Sequence, residues 1–319
     1  MRKVEIGLFV VAFFWASSGF SQAYPTKAIR LVVPSAPGGA NDFMARLIGP
    51  GLSDVLGESV VVDNRGGAGG NIGSDIVAKS PADGYTLLLG STQMTVNPHI
   101  HPKMPYDLMK DLYAIARLGT SSAVLVVHPS VPVQTVKDLI ALAKAQPGAL
   151  TYASSGSGSA SNIATEMFKT RAGLDIRHIP FKGNGPAYIA LMSGEVSLIF
   201  GNKPGSMPHV QSGRLKAIAV TGPKRDPALP NLPTIAEFLP GFETRTWWGV
   251  FGPAGLSDGV VKKIYSAITK VVATPQVQQR MANVGGDPAL MGPGEFKTFV
   301  REELRKHADV VKRARLKLD

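Results

Sequence analysis

Two short loops combine residue types that can bind an anion without using a charged side chain. They are Pro34-Ser35-Ala36-Pro37-Gly38-Gly39 and Ser154-Ser155-Gly156-Ser157-Gly158-Ser159. Each follows an apolar run, Ile29 to Val33 in one case and Leu150 to Ala153 in the other, and each precedes an amphipathic helical pattern. In an open α/β sheet this is the carboxyl end of a strand, where such sheets bind their ligands. Glycine lets the backbone approach a ligand closely, and the first N–H groups of a helix attract anions. The loops are far apart in the chain. With one in each of two domains, they could face each other across a cleft and grip one anionic ligand from both sides. Taken singly, either loop reads as a tight turn; the matched pair points to binding.

Other chemistry finds little support. The loop Gly66 to Gly70 lacks the dinucleotide spacing, because position 72 is Ile, and lacks the Gly-Lys-Ser/Thr ending of a phosphate loop. Gly156-Ser157-Gly158 misses the same fingerprint because position 161 is Ser. No nucleotide or other cofactor is expected. No serine sits in Gly-x-Ser-x-Gly, so the nucleophile elbow of a hydrolase is missing, and no catalytic residue is assigned. His99 and His101 form His-x-His in a proline-rich stretch without a carboxylate pair, which reads as loop packing and not as a metal site. His128 and His178 border strands and read as structural. The chain has no cysteine, which excludes thiolate chemistry and cysteine metal sites. Lys182, after Phe181 at a strand end, is either an anion contact or a surface lysine. Ser91 and Thr92, just past the strand Tyr85 to Leu89, join the candidate ligand contacts. Trp247 and Trp248 read as core, with one of them a candidate for the cleft wall.

The elements that must position these loops repeat one theme of apolar strand, glycine or serine loop, and amphipathic helix. Met44, Leu47, Ile48, Leu52 and Val55 share one helical face, as do Val261, Ile264, Tyr265, Ile268 and Val272. Thr135 to Asp138 and Thr234 to Glu237 have the form of capping boxes. Strands alternating with helices predict parallel sheets covered on both faces. The 319 residues suffice for two such domains. The expected division is 24–122 plus 247–319 for the first and 123–246 for the second. The chain is expected to cross near Ser121–Val126 and Phe238–Trp248, with the C-terminal helices returning to the first domain.

Residues 1–23 read as a cleavable signal peptide. Arg2 and Lys3 precede the apolar run Ile6 to Ala16, and Ser21-Gln22-Ala23 is a small-x-small site, so the mature chain should begin at Tyr24. The run is short of the ~20 apolar residues that a spanning helix needs. Export to the periplasm is therefore expected, and without cysteine no lipoprotein anchor can form. The formal charge of +11 raises the question of nucleic acid, but no basic-aromatic platform or nucleic-acid motif is visible, and none is expected as a partner. Positive potential would also draw in anionic ligands.

Several segments together carry a family resemblance. They are Val33 to Gly39 with Asp42 and Ala45-Arg46, Val62-Asp63-Asn64-Arg65 through Gly69-Gly70-Asn71-Ile72-Gly73, and Asp83-Gly84-Tyr85-Thr86-Leu87-Leu88. To these are added Tyr152-Ala153-Ser154-Ser155-Gly156, His178 to Gly183, and Leu232-Pro233-Thr234 with Glu237. From Tyr24 to roughly Leu316 the chain resembles the substrate-binding receptors of tripartite tricarboxylate transporters, the Bug family. The resemblance implies a type II periplasmic binding-protein fold, with two α/β domains, a ligand cleft and a hinge. It implies a small carboxylate as ligand and the membrane permease subunits of such a transporter as partner. The alternatives are a sensory binding protein for a membrane kinase and, further off, a periplasmic hydrolase. The ligand carboxylate would be held by backbone groups and water at Ala36, Pro37, Gly38 and Gly39, where a Cβ should obstruct the approach. The facing wall would be Ser154, Ser155, Gly156 and Gly158, with Phe181, Lys182, Phe200 and Asn202. The chain departs from the family where Gly201 replaces a frequent acidic residue, where Phe181 replaces a frequent Tyr, and near His307, where Trp is frequent. Without an acid at position 201, a non-amino carboxylate is the expected ligand.

Overall fold

The computed structural model describes residues 24–314; residues 1–23, where a signal peptide is expected, and residues 315–319 lie outside the described residues. The first lobe opens with β1 (Ile29–Val33), α1 (Ala40–Leu56), β2 (Val60–Asn64), α2 (Asn71–Ala78), β3 (Thr86–Ser91) and α3 (Gln93–Ile100). β1 pairs in parallel with β2 on one side and β3 on the other. Leu31 and Val33 enter one apolar core and Val32 another, on the opposite face. That alternation is why the β-branched run forms a strand buried on both sides.

β4 (Leu112–Val127) then leaves this lobe. Its first part pairs with the returning strand β9 (Arg245–Pro253) and with β10 (Asp287–Met291). Its last part pairs with β7 (Leu198–Asn202) and β8 (Lys216–Val220) of the second lobe. The change of partner falls between Ser122, opposite Arg245, and Ala123, opposite Asn202. Between β4 and β9 the second lobe runs α4 (Val136–Ala145), β5 (Thr151–Ser154), α5 (Ala160–Ala172), β6 (Arg177–Pro180), α6 (Asn184–Met192), β7, α7 (Lys203–Gln211) and β8. Here again alternate residues serve opposite cores: Leu125 and Val127 one, Val124 and Val126 the other. The capping box at Thr135 and Asp138 starts α4, whereas that at Thr234 and Glu237 starts only a single 3-10 turn, Ile235–Glu237.

The expectation of purely parallel sheets needs correction. Pairing is parallel at β1, β2 and β3 and at β5, β6 and β7, but antiparallel through the middle, at β3–β9, β9–β4, β4–β7, β4–β8 and β4–β10. A chain that leaves a lobe on one strand and returns beside it must run antiparallel to itself. The expected crossing near Ser121–Val126 falls within β4, whose last residues, Ala123 to Val127, belong to the second lobe.

α8 (Asp258–Val272) and α9 (Pro275–Asn283) pack on the first sheet, with Val261, Ile264, Ile268, Val277 and Met281 in its core. α10 (Pro293–Ala314) begins on the first lobe, with Phe296 and Val300, and ends with Val310 and Val311 in the core of the second. Val96 and Ile100 of α3 join that second core too. α3 and α10 thus form an apolar seam beside the two crossing strands.

Candidate ligand-binding site

In the first lobe, Gly39 precedes α1 without any side-chain cap. The cap's work falls to Asp42, whose buried carboxylate accepts the Gly38 N–H at 2.9 Å and the Arg46 Nε–H at 3.0 Å. Arg46, and then Gly38, hold this carboxyl below the usual carboxylate range. The Gly38 N–H is therefore already engaged, and Gly38 and Gly39 stand exposed at the rim. Ala36 and Pro37 instead line a cavity of about 660 Å³ in the first lobe, together with Asn41, Asn64, Ser91, Gln93 and the glycines of the 66–70 loop. Asn41 donates to Ser91 Oγ at 3.2 Å and accepts the Trp248 indole N–H at 3.1 Å. Thr92 is turned away; its buried hydroxyl oxygen accepts the Trp247 N–H at 3.0 Å. A Cβ at Gly39 would meet only Ala36 O at 3.8 Å, so the backbone itself does not require glycine there.

In the second lobe, Ser154 is fully buried and its Oγ accepts the Gly156 N–H at 3.1 Å. The Ser155 N–H reaches Ser161 Oγ at 3.1 Å, and the Gly158 N–H reaches Asn162 Oδ1 at 2.9 Å. These bonds pin the loop. Gly158 has φ +73, and a Cβ on it would lie 2.6 Å from Ile100 Cδ1 across the lobe boundary, so a side chain there would strain the backbone and displace Ile100.

A second cavity of about 220 Å³ lies between the lobes. The crossing segments supply Ser121, Ser122, Ala123 and Thr246, and the first lobe adds Ala40, Trp248 and Val284. From the second lobe come Ser155, Ala160, Ser161, Asn184, Phe200 and Asn202. Four helices begin here: α1 at Ala40, α5 at Ala160, α6 at Asn184, and α7 just after its cap Asn202. Their first-turn N–H groups have no partner inside the helix, and each helix start carries partial positive charge. Hydroxyl and amide side chains share the lining with Phe200, Trp248, Val284 and three alanines; none of its lining residues is Asp, Glu, Lys or Arg.

Of the residues singled out in the sequence, Ser155, Phe200 and Asn202 share this interlobe cavity, and Ala36, Pro37 and Ser91 share the larger one. Gly156 and Gly158 shape the loop. Phe181 packs against the apolar cluster around Ile179, Ala187 and Tyr188, and Lys182 is exposed outside the cavity lining. Asn41, Ser161 and Asn184 went unread. Asn184 follows Gly183 at the start of a helical pattern, the same signal that picked out the other loops. His99 Nε2 lies 2.9 Å from the Leu304 carbonyl on α10.

Gly201 has a physical reason of its own. A Cβ there would collide with the hydroxyls of Tyr188 and Ser206, which are 2.7 Å apart. Burial pushes the Tyr188 phenol up to about 12, so it stays protonated and donates. Gly201→Asp should therefore lower the melting temperature, by several degrees for an overpacking cost of ~1–3 kcal/mol. A thermal melt at unchanged temperature would show that the Tyr188 hydroxyl moves aside freely.

Residues 44–316 match the model of the tripartite tricarboxylate transporter family receptor. The chain belongs to this family. The family is one of receptors, not enzymes, and its members share a two-domain α/β periplasmic binding-protein fold. The chain is 36% identical to protein BugT of Bordetella pertussis over 98% of its own length and 97% of that protein's. Among solved structures, one described as a periplasmic transporter is 38% identical, with a TM-score of 0.79 over 93% of this chain and all of that one. The R. palustris protein Rpa4515, solved with adipate, is 36% identical, with a TM-score of 0.80 over 92% of this chain and all of that one.

Proposed function

We propose that this receptor captures a small carboxylate without an ammonium group in the periplasm and delivers it to the permease subunits of a tripartite tricarboxylate transporter. The observation that carries the reading is the interlobe cavity, where four helix starts converge and no ionisable side chain is present. Such a site offers N–H and O–H donors to a carboxylate. It offers no carboxylate to an ammonium, which would lose its hydration without a partner. The adipate bound to a relative of 36% identity is a dicarboxylate with no amino group, in keeping with this preference.

The proposed division is 24–122 plus 247–319 and 123–246, with the hinge in the crossing segments Ser122–Ala123 and Thr244–Trp247. Closure on the ligand turns the lobes about these strands, while the α3 and α10 seam limits how far they part. The exported chain begins at Tyr24.

Native mass spectrometry of protein released from its own envelope should give the mass of a chain starting at Tyr24, with a carboxylic acid bound. Calorimetry should then rank adipate, short aliphatic acids and aromatic acids above aspartate and glutamate. Best binding to an α-amino acid, or turnover of the bound acid, would sink the proposal.

A further inference from the structure

We infer that Tyr152 and Asn162 are positioning residues for the ligand loop 154–158, holding it from behind through a buried hydrogen-bond relay that ends on Glu166. The inference rests on the reading that the interlobe cavity is the ligand site. Its path is continuous. The Gly158 N–H donates to Asn162 Oδ1 at 2.9 Å, Asn162 Nδ2 donates to the Tyr152 oxygen at 2.7 Å, and the Tyr152 hydroxyl donates to Glu166 Oε1 at 2.6 Å. Lys169 Nζ closes the chain on the same Glu166 oxygen at 2.6 Å. Tyr152 and Asn162 are wholly buried, and Glu166 is 6% exposed.

The relay has a fixed direction. A phenol has one proton, and it is donated in the hydrogen bond to Glu166. The Tyr152 oxygen is then left as an acceptor, which only the NH₂ side of Asn162 can satisfy. That turns the Asn162 carbonyl toward Gly158. The opposite orientation would set an amide NH₂ against the Gly158 N–H, leaving two buried donors unpaired. Burial, reinforced by Glu166, raises the Tyr152 pKa above the ordinary phenol range, so the proton stays in place.

A second arm reaches the other end of the loop. The Tyr152 ring stacks on His178 with centroids 4.6 Å apart and planes inclined by 15°. His178 Nε2 lies 2.6 Å from Ser154 Oγ, the atom that holds the Gly156 N–H. Gly156 and Gly158 are thus fixed from one side chain, and Ser155, which lines the cavity, sits beside Gly156 on the same loop. None of these supporting groups lines the cavity itself.

The test uses the full mature chain and the acid that binds the wild type best. Tyr152→Phe keeps the ring and its stacking and removes the hydroxyl; affinity should fall about tenfold or more. Glu166→Gln keeps an acceptor for the hydroxyl and should bind within about threefold of wild type. Leu139→Ala, a change in the same core outside the hydrogen-bonded relay, should lower the melting temperature at least as much yet leave affinity unchanged. Tyr152→Phe binding like wild type, or Leu139→Ala weakening binding equally, would overturn the relay. A direct readout needs no ligand: in the free protein, exchange of the Gly158 amide hydrogen should quicken in Tyr152→Phe. Should the wild type bind no acid, the cavity reading falls and this exchange alone decides the relay, unchanged exchange being the result that refutes it.

Discussion

Acidification from pH 6.5 toward pH 3 should cost this receptor a large part of its stability, through one buried histidine. His307 is 1% exposed at the seam between α3 and α10. Its Nδ1 lies 3.0 Å from Thr95 Oγ1, and its Nε2 lies 3.8 Å from Glu303 Oε2. Burial first, then the charges of Lys306 and His99, hold its pKa down at about 3, against an ordinary 6.5. The folded pKa is thus below the unfolded one, and between the two values the unfolded chain binds more protons. The stabilisation is present above pH 6.5 and is lost as pH falls through that window toward the folded pKa. The full gap corresponds to ~4–5 kcal/mol, a sizeable share of the 5–15 kcal/mol that domains typically have. Glu303 opposes the loss, since it would pair with an imidazolium, but burial is the larger influence. Melting temperatures across this pH range should fall steeply for wild type and less steeply for His307→Gln. Parallel curves for the two proteins would assign the acid sensitivity to other groups.

The same seam shows what the sequence could and could not reveal. Strands buried on both faces announce themselves as apolar runs, so Ile29–Val33 and the repeated strand–loop–helix units were legible, as were the loops at 34–39 and 154–159. Helices with one wet face were legible too, through the periodicity of Val261 to Val272. α3 was not, because it is packed between the lobes: Met94, Thr95, Val96, Asn97 and Ile100 are all buried, which leaves no polar stripe, and Pro98 reads as a breaker. α7 was hidden by Pro204 and Pro208. Within the candidate site, the glycines are conspicuous in the sequence, but the hydrogen-bond geometry gives them mostly the task of shaping loops. The cavity is lined by residues one or two positions into the following helices, Ala40, Ala160, Ser161 and Asn184. Nor could the sequence show that Gly201 is small because Tyr188 and Ser206 occupy the space beside it.

The sharpest separation of ligand binding from folding should come from Ala160→Asp. Ala160 is the first residue of α5, exposed on the wall of the interlobe cavity. An aspartate in the first turn of a helix complements the positive helix end, so the fold should be unchanged or stabilised by ~0.3–1 kcal/mol. For a carboxylate ligand the effect is opposite. The new charge competes for the same helix-start donors and repels the ligand. Two like charges about 4–5 Å apart at an effective dielectric near 20 repel by roughly 3–4 kcal/mol, about a hundredfold loss of affinity or more. Salt should relieve part of this loss, because position 160 is exposed and its charge can be screened. Ala160→Asn, which has the same shape without the charge, should lose far less. Calorimetry of both variants, beside their melting curves, gives the answer. A melting temperature at or above that of wild type with binding abolished only in Ala160→Asp is the expected pattern. Equal losses in both variants would mean that the side chain merely blocks the cavity, and full binding by Ala160→Asp would place the ligand's carboxylate elsewhere.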